Sequence, residues 1–235
     1  MYELNKIQSD VVKELSLHPF RRFSEMMKVT DLTSDDFKFH LRKLLHAGLV
    51  MKNKEGLYEL TAYGKEFSNR FDYENGTIIK QPKITTATYV KRINPETQKL
   101  EYLFYQRLRQ PYYHYWGIIG KPVKWGETFE DAASRGLEEN AGLTGSVVFK
   151  GFYRQRDFLD DSDIILDDKL FVVFEAEWQG QNPISTDLAK AEWMTPDELK
   201  SKEKRFESCV EMMVNLDNEI VWVGNDDSRY KPEDF

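Results

Sequence analysis

The chain has 235 residues, with 33 Lys+Arg against 40 Asp+Glu and 40% hydrophobic residues. That length allows two modest domains, each with a core of its own, and no apolar run is long enough to span a bilayer. A single cysteine, Cys209, excludes an intramolecular disulfide framework.

The opening residues, "MYELNKIQSD", read as an amphipathic helix rather than a signal peptide, so a cytoplasmic protein is expected. Charge is uneven. Residues 1–72 hold 12 Lys+Arg against 11 Asp+Glu, leaving 21 against 29 for the remainder. The acidic balance therefore belongs to the C-terminal part and does not argue against nucleic-acid binding by the N-terminal part. His18, His40, His46 and His114 show no metal-ligand spacing.

In chain order, Leu4, Ile7, Val11, Val12 and Leu15 have the spacing of a core-facing helix, ended by His18-Pro19. A short helix is expected from Ser24. A third follows Thr33, which has Asp36 at capping-box distance. In that third helix Phe37, Leu41, Leu44 and Leu45 form one apolar stripe; Asp35, Phe39, Arg42, Lys43 and His46 lie opposite. "GLVMKNKEGLYELT" then predicts two short strands around a polar turn at residues 53–56. A last amphipathic segment runs from Ala62 to about Arg70.

This order, carried by "LTSDDFKFHLRKLLHAGLVMKNKEGLYELTAYGKEF", resembles the winged-helix regulators of the MarR and ArsR type. The resemblance implies a third helix in the DNA major groove and a wing on the phosphate backbone. Arg21, Arg22, Lys38, Lys52 and Lys54 are the expected phosphate contacts, with Arg42 and Lys43 nearer the bases. A winged helix that serves protein interaction or dimerisation is the alternative.

Residues 73–82, with Asn75-Gly76 and Pro82, read as a linker. An alternating run from Thr85 to Ile93, the turn "NPETQ" and a strand through Arg107 follow. Thr128 with Asp131 marks a helix start and Gly142 its end. "SVVFKGFYRQ" and "KLFVVFEAEWQ" predict two late strands. The aspartates 157, 160, 161, 163, 167 and 168 are expected in a solvated loop between them, the sharper alternative being that one replaces a metal ligand. "YYHYW", residues 112–116, offers rings for stacking a nucleobase, with a buried strand or a dimer surface the preferred reading.

"KPVKWGETFEDAASRGLEENAGL", residues 121–143, resembles the Nudix box, G-x5-E-x7-R-E-U-x-E-E-x-G-U. Glu127, Arg135, Leu137, Glu139, Gly142 and Leu143 match it. Lys121, Gly136 and Asn140 stand where the pattern has glycine, glutamate and glutamate. Positions 136, 139 and 140 share one helix face. The resemblance implies that this face carries glutamates holding Mg²⁺ or Mn²⁺ on a diphosphate. One carboxylate of three is left, so a weak or absent metal site at Glu139 is expected, with Glu139 and Glu127 as the residual catalytic residues. Restoring glutamate at 136 and 140 is expected to raise metal affinity. Arg107, Arg109, Arg154 and Arg156 are the expected ligand-phosphate contacts.

The expected fold class is α+β: a winged helix-turn-helix over residues 1–72, then a Nudix α/β/α sandwich with a mixed sheet over 83–235. The expected function is a DNA-binding regulator, a homodimer on double-stranded DNA, sensing a nucleotide-linked or phosphorylated small molecule. The rival is an active, metal-dependent Nudix hydrolase of a nucleoside diphosphate linked to another moiety.

Overall fold

The computed structural model describes residues 4–72, 77–218 and 221–234. The chain divides into two compact units, Met1–Lys80 and Gln81–Phe235.

The first unit runs α1 (Lys6–Leu17), α2 (Phe23–Met27), α3 (Ser34–His46), β1 (Val50–Lys52), β2 (Tyr58–Leu60), α4 (Ala62–Arg70), β3 (Phe71–Asp72) and β4 (Thr77–Ile78). The Asn5 side chain caps α1 by accepting from Gln8 N, and the Thr33 hydroxyl caps α3 by accepting from Asp36 N. Val11, Val12, Leu15, Phe37, Leu41 and Leu44 meet in one core. Two expected core positions differ. Ile7 is only half-buried, while Gln8 and Ser9 turn inward. Leu45 is 36% exposed, because it lies one helical step, about 100°, past Leu44 and clears the buried stripe. β1 and β2 pair antiparallel, Val50 opposite Leu60, around a turn in which the Asn53 side chain accepts from Glu55 N and Leu57 N. Part of the expected linker is not irregular: Thr77–Ile78 pairs with Phe71–Asp72. Residues 73–76 of the expected linker lie outside the described residues.

The second unit contains β5 (Lys83–Ile93), β6 (Leu100–Arg107), β7 (Trp116–Gly117), α5 (Phe129–Ala141), β8 (Val147–Leu159), β9 (Ile165–Glu177), β10 (Ala189–Met194), α6 (Pro196–Lys200), α7 (Glu207–Val214) and β11 (Trp222–Tyr230). Its sheet has the order β10-β6-β5-β9-β8-β11, with β7 paired to β6. β5–β9 and β8–β11 are parallel and the other pairs antiparallel, so the sheet is mixed. Alternation along the strands separates its two faces. Ala87, Tyr89, Tyr153 and Val173 pack with Cys209 and Met212 of α7, and Val172 and Phe174 pack with Ala133 of α5. Burial among these residues pushes the Cys209 thiol up to about 12.

The acidic segment is not one loop. β8 extends to Leu159 and β9 begins at Ile165, so Asp157, Asp167 and Asp168 are strand residues. Residues 112–115 form a turn rather than a strand, and Tyr112 is buried against Phe206 and Tyr230. The tail supplies the edge strand β11. Among the described residues no helix is long and apolar enough to cross a membrane.

Candidate functional site

The site is built on α5 and the segment leading into it. That segment runs along β5: Thr88 N donates to Ile119 O at 2.8 Å and Thr86 N to Lys121 O at 2.8 Å. Lys121 N donates in turn to the Thr86 hydroxyl at 3.2 Å. The Thr128 hydroxyl accepts from Asp131 N at 3.1 Å and starts α5. Gly142, at φ 63°, ends it in the left-handed conformation that glycine adopts without strain. Ala132, Ala133, Gly136, Leu137 and Ala141 are buried beneath the helix.

Its charged face is closely paired. Arg135 donates through Nε to Glu127 Oε1 at 2.7 Å and through Nη2 to Glu127 Oε2 at 2.8 Å, a two-pronged contact, and also to Pro122 O at 2.9 Å. Lys124 N adds a bond to Glu127 Oε2 at 2.8 Å. Arg135, with that backbone bond, holds the Glu127 carboxyl down at about 2. Glu139 is gripped by Lys121 at 2.9 Å, with Arg135 Nη1 at 3.6 Å. The Lys121 bond holds the Glu139 carboxyl below its ordinary range.

Each departure from the Nudix pattern has a contact. A Cβ on Gly136 would stand 3.3 Å from Lys121 Cγ and 3.6 Å from Ile119 Cγ2, so the lysine stem lies across the glycine. Asn140 Nδ2 donates to Gly120 O at 3.1 Å, tying the helix to the residue before Lys121. Trp125, in the same loop, is 85% exposed.

Of the other expected ligand contacts, Arg107, Arg154 and Arg156 have bonds of their own. Arg107 Nε donates to Pro111 O at 2.9 Å, and burial with the nearby Arg109 lowers its guanidinium. Arg109 is exposed. Arg154 pairs with Asp168 at 2.8 Å and Arg156 with Asp227 at 2.6 Å. None of these bonds reaches Lys121, Arg135 or Glu139.

Neither do the aspartates of the expected loop. Asp157 is wholly buried and accepts from the Tyr112 hydroxyl, Gln155 and Lys169. Asp167 pairs with Lys83 and Lys169. Among the described residues, no three His, Cys, Asp or Glu side chains converge as a metal would require.

In the first unit, Arg42 and Lys43 are exposed on α3. Arg42 Nε donates weakly to Lys38 O at 3.4 Å, and the Lys43 ammonium sits 4.5 Å above the Phe39 ring. Lys38 pairs with Asp35 at 3.0 Å. Lys52 and Lys54 are exposed on and beside the hairpin, Lys52 5.4 Å above the Tyr58 ring. Arg22 is exposed at the start of α2, whereas Arg21 is paired with Glu14 at 2.7 Å.

In the sequence Lys121 stands out only as a lost glycine, and no motif singles out Lys124. The available signal was chemical: a cation standing where the pattern tolerates no side chain, beside two lost carboxylates.

A sequence profile of the NUDIX domain matches residues 83–211, more than half of the chain. The chain belongs to the Nudix family. No curated protein matches it. Among solved structures, it is similar to the NUDIX domain of Shewanella oneidensis NrtR in complex with ADP ribose. That match has 15% identity and a TM-score of 0.50, covering 66% of this chain and 96% of that one. The Bacillus halodurans MutT protein matches at 19% identity and TM-score 0.49, covering 65% and 93%. A MutT/nudix family protein from Enterococcus faecalis matches at 23% and 0.42, over 49% of this chain. The chain spans only 44% of that relative's length. At 15% identity the likeness to the NrtR domain concerns the fold alone.

Proposed function

We propose that this chain is a ligand-responsive transcriptional regulator. In this reading residues 1–72 are a winged helix-turn-helix that binds double-stranded DNA as a homodimer. The Nudix domain, its box degenerate, senses a nucleotide-linked or phosphorylated small molecule. The observation that carries the reading is the Lys121–Glu139 ion pair. A Nudix hydrolase needs several carboxylates free to bind a divalent cation. Here Glu139 is held by Lys121, both oxygens of Glu127 are taken by Arg135, and positions 136 and 140 offer no carboxylate. These donors do not fit Mg²⁺ or Mn²⁺.

DNA binding is supported by the order α1-α2-α3-hairpin and by exposed Arg42, Lys43, Lys52 and Lys54 on α3 and the hairpin region. The NrtR domain carries ADP ribose, which makes that compound the first probe. ADP-ribose is expected to raise the melting temperature of the full chain equally in EDTA and in Mg²⁺, with no phosphate or AMP product accumulating. Metal-dependent cleavage, abolished by Glu139→Gln, would replace this reading with that of a hydrolase acting on a nucleoside diphosphate linked to another moiety.

A further inference from the structure

At the face of α5 where the Nudix pattern has a cluster of glutamates, the one that remains, Glu139, is met by cations instead of further carboxylates. Lys121, Lys124 and Arg135 face two carboxylates, Glu127 and Glu139. Within this contact set three cations meet two acids, while Glu130, Asp131 and Glu138 of α5 are exposed to solvent. Arg135 and the Lys124 backbone satisfy Glu127, and Glu139 is bonded to Lys121.

Lys121 is no loose surface side chain. Its backbone is fixed to Thr86 through both N–H and C=O, and its side chain is only 24% exposed. The stem lies over Gly136, where an added Cβ would stand 3.3 Å from Lys121 Cγ and the stem would have to give by a few tenths of an ångström. Asn140, by donating to Gly120 O, draws the same segment against the helix; a glutamate carboxylate there could not donate that bond. The three departures are therefore one arrangement. Removing the side chain at 136 admits the lysine, the amide at 140 fastens its backbone, and the remaining carboxylate orients its ammonium. An ammonium has three donors, of which Glu139 takes one.

Building on the reading of this face as the ligand site, we propose that the Lys121 ammonium is a tethered replacement for a divalent cation. With Lys124 and Arg135 beside it, it holds the diphosphate of the ligand directly, so that binding requires no metal.

The test has two parts, both on the full chain. The first is titration calorimetry with inorganic pyrophosphate in EDTA. Saturable binding is expected. Lys121→Met, which keeps the stem over Gly136 and removes the charge, should weaken it about tenfold or more, the loss expected for a charge-assisted contact. Lys121→Arg should retain most of it. Absence of metal-free binding by the parent chain, or equal binding by Lys121→Met, overturns the proposal.

The second part needs no ligand. Mn²⁺ uptake is followed by electron paramagnetic resonance in Gly136→Glu/Asn140→Glu, with and without Lys121→Gly, after circular dichroism has shown that each variant folds. Tight uptake is expected only when Lys121 is also removed. Equal uptake by both variants shows that Lys121 does not hold the cation's place.

Failure here is separable from failure of the regulator reading. A chain that binds pyrophosphate through Lys121 yet shifts no DNA sinks the regulator alone. A chain whose DNA binding responds to ADP-ribose regardless of Lys121 sinks this proposal alone.

Discussion

Glu127 and Arg135 show how one contact ties a loop to a helix and to pH. Arg135, on the second turn of α5, reaches back to the residue just before the cap and bonds both of its carboxylate oxygens. The Glu127 carboxyl falls from the usual 4.5 to about 2. A lowered folded-state value means that the unfolded chain takes up the proton first as pH falls. The stabilisation is therefore complete above about pH 4.5 and is lost as pH falls through about 2. Glu127→Gln should lower the melting temperature at neutral pH, and the gap to the parent should close as both are melted towards pH 2. A gap that stays constant over that range would show that the carboxylate charge contributes nothing. Asp157 is a different case. Its partners Tyr112, Gln155 and Lys169 satisfy it inside the unit, as a buried carboxylate requires.

At the scale of elements, α3 and the β1–β2 hairpin divide their side chains by face. Phe37, Leu41 and Leu44 are buried, while Arg42 and Lys43 point to solvent with Lys52 and Lys54 close to them in sequence on the hairpin side. If this surface meets DNA, each phosphate contact releases counterions and adds roughly one unit to the salt slope. Lys52→Ala with Lys54→Ala should weaken binding to all sequences and flatten log K against log salt by about two. Arg42→Ala should instead lower discrimination between the gene's own promoter region and random DNA. Gel shifts over a salt series read both effects. Unchanged slopes would remove the hairpin from the DNA contact, and no shift under any condition would favour an interaction module.

For the molecule as a whole, the cores are drawn from separate stretches of chain: Leu4 to Phe71 in one unit, Ala87 to Leu216 in the other. Damage to one core should therefore leave the chemistry of the other unit standing. Phe37 is fully buried, and Phe37→Ala should cost about 3–5 kcal/mol. That is enough to unfold much of a small unit. Loss of DNA binding with pyrophosphate binding retained is the expected result, read by gel shift and calorimetry on one preparation. Loss of both together would show that the units do not fold independently.

Local pattern carried much of this protein. The caps Thr33 and Thr128, the terminating Gly142, the alternation from Thr85 to Ile93 and the apolar run within β9 specify backbone conformation over a few residues, so the sequence by itself determined α3, α5 and the central strands. The same pattern carried the resemblance to the Nudix box, with Gly136 and Asn140 standing where that pattern has glutamates. It could not say what fills their place. The Lys121–Glu139 pair, the lysine stem over Gly136, and the bond from Asn140 to Gly120 join residues 15 to 20 positions apart. They exist only once the lead-in segment lies along β5. The tertiary structure likewise decided that Asp157 is buried rather than solvated. Its partner Tyr112 is 45 residues away, and the neighbouring strand that continues the hairpin brings Lys169 to it. The parallel pairing of β11 with β8 is of the same kind, a contact between distant segments that no local period encodes. Helices and strands follow from short-range sterics and capping, whereas charge pairing across a site depends on which distant side chains the packed sheet brings within bonding distance.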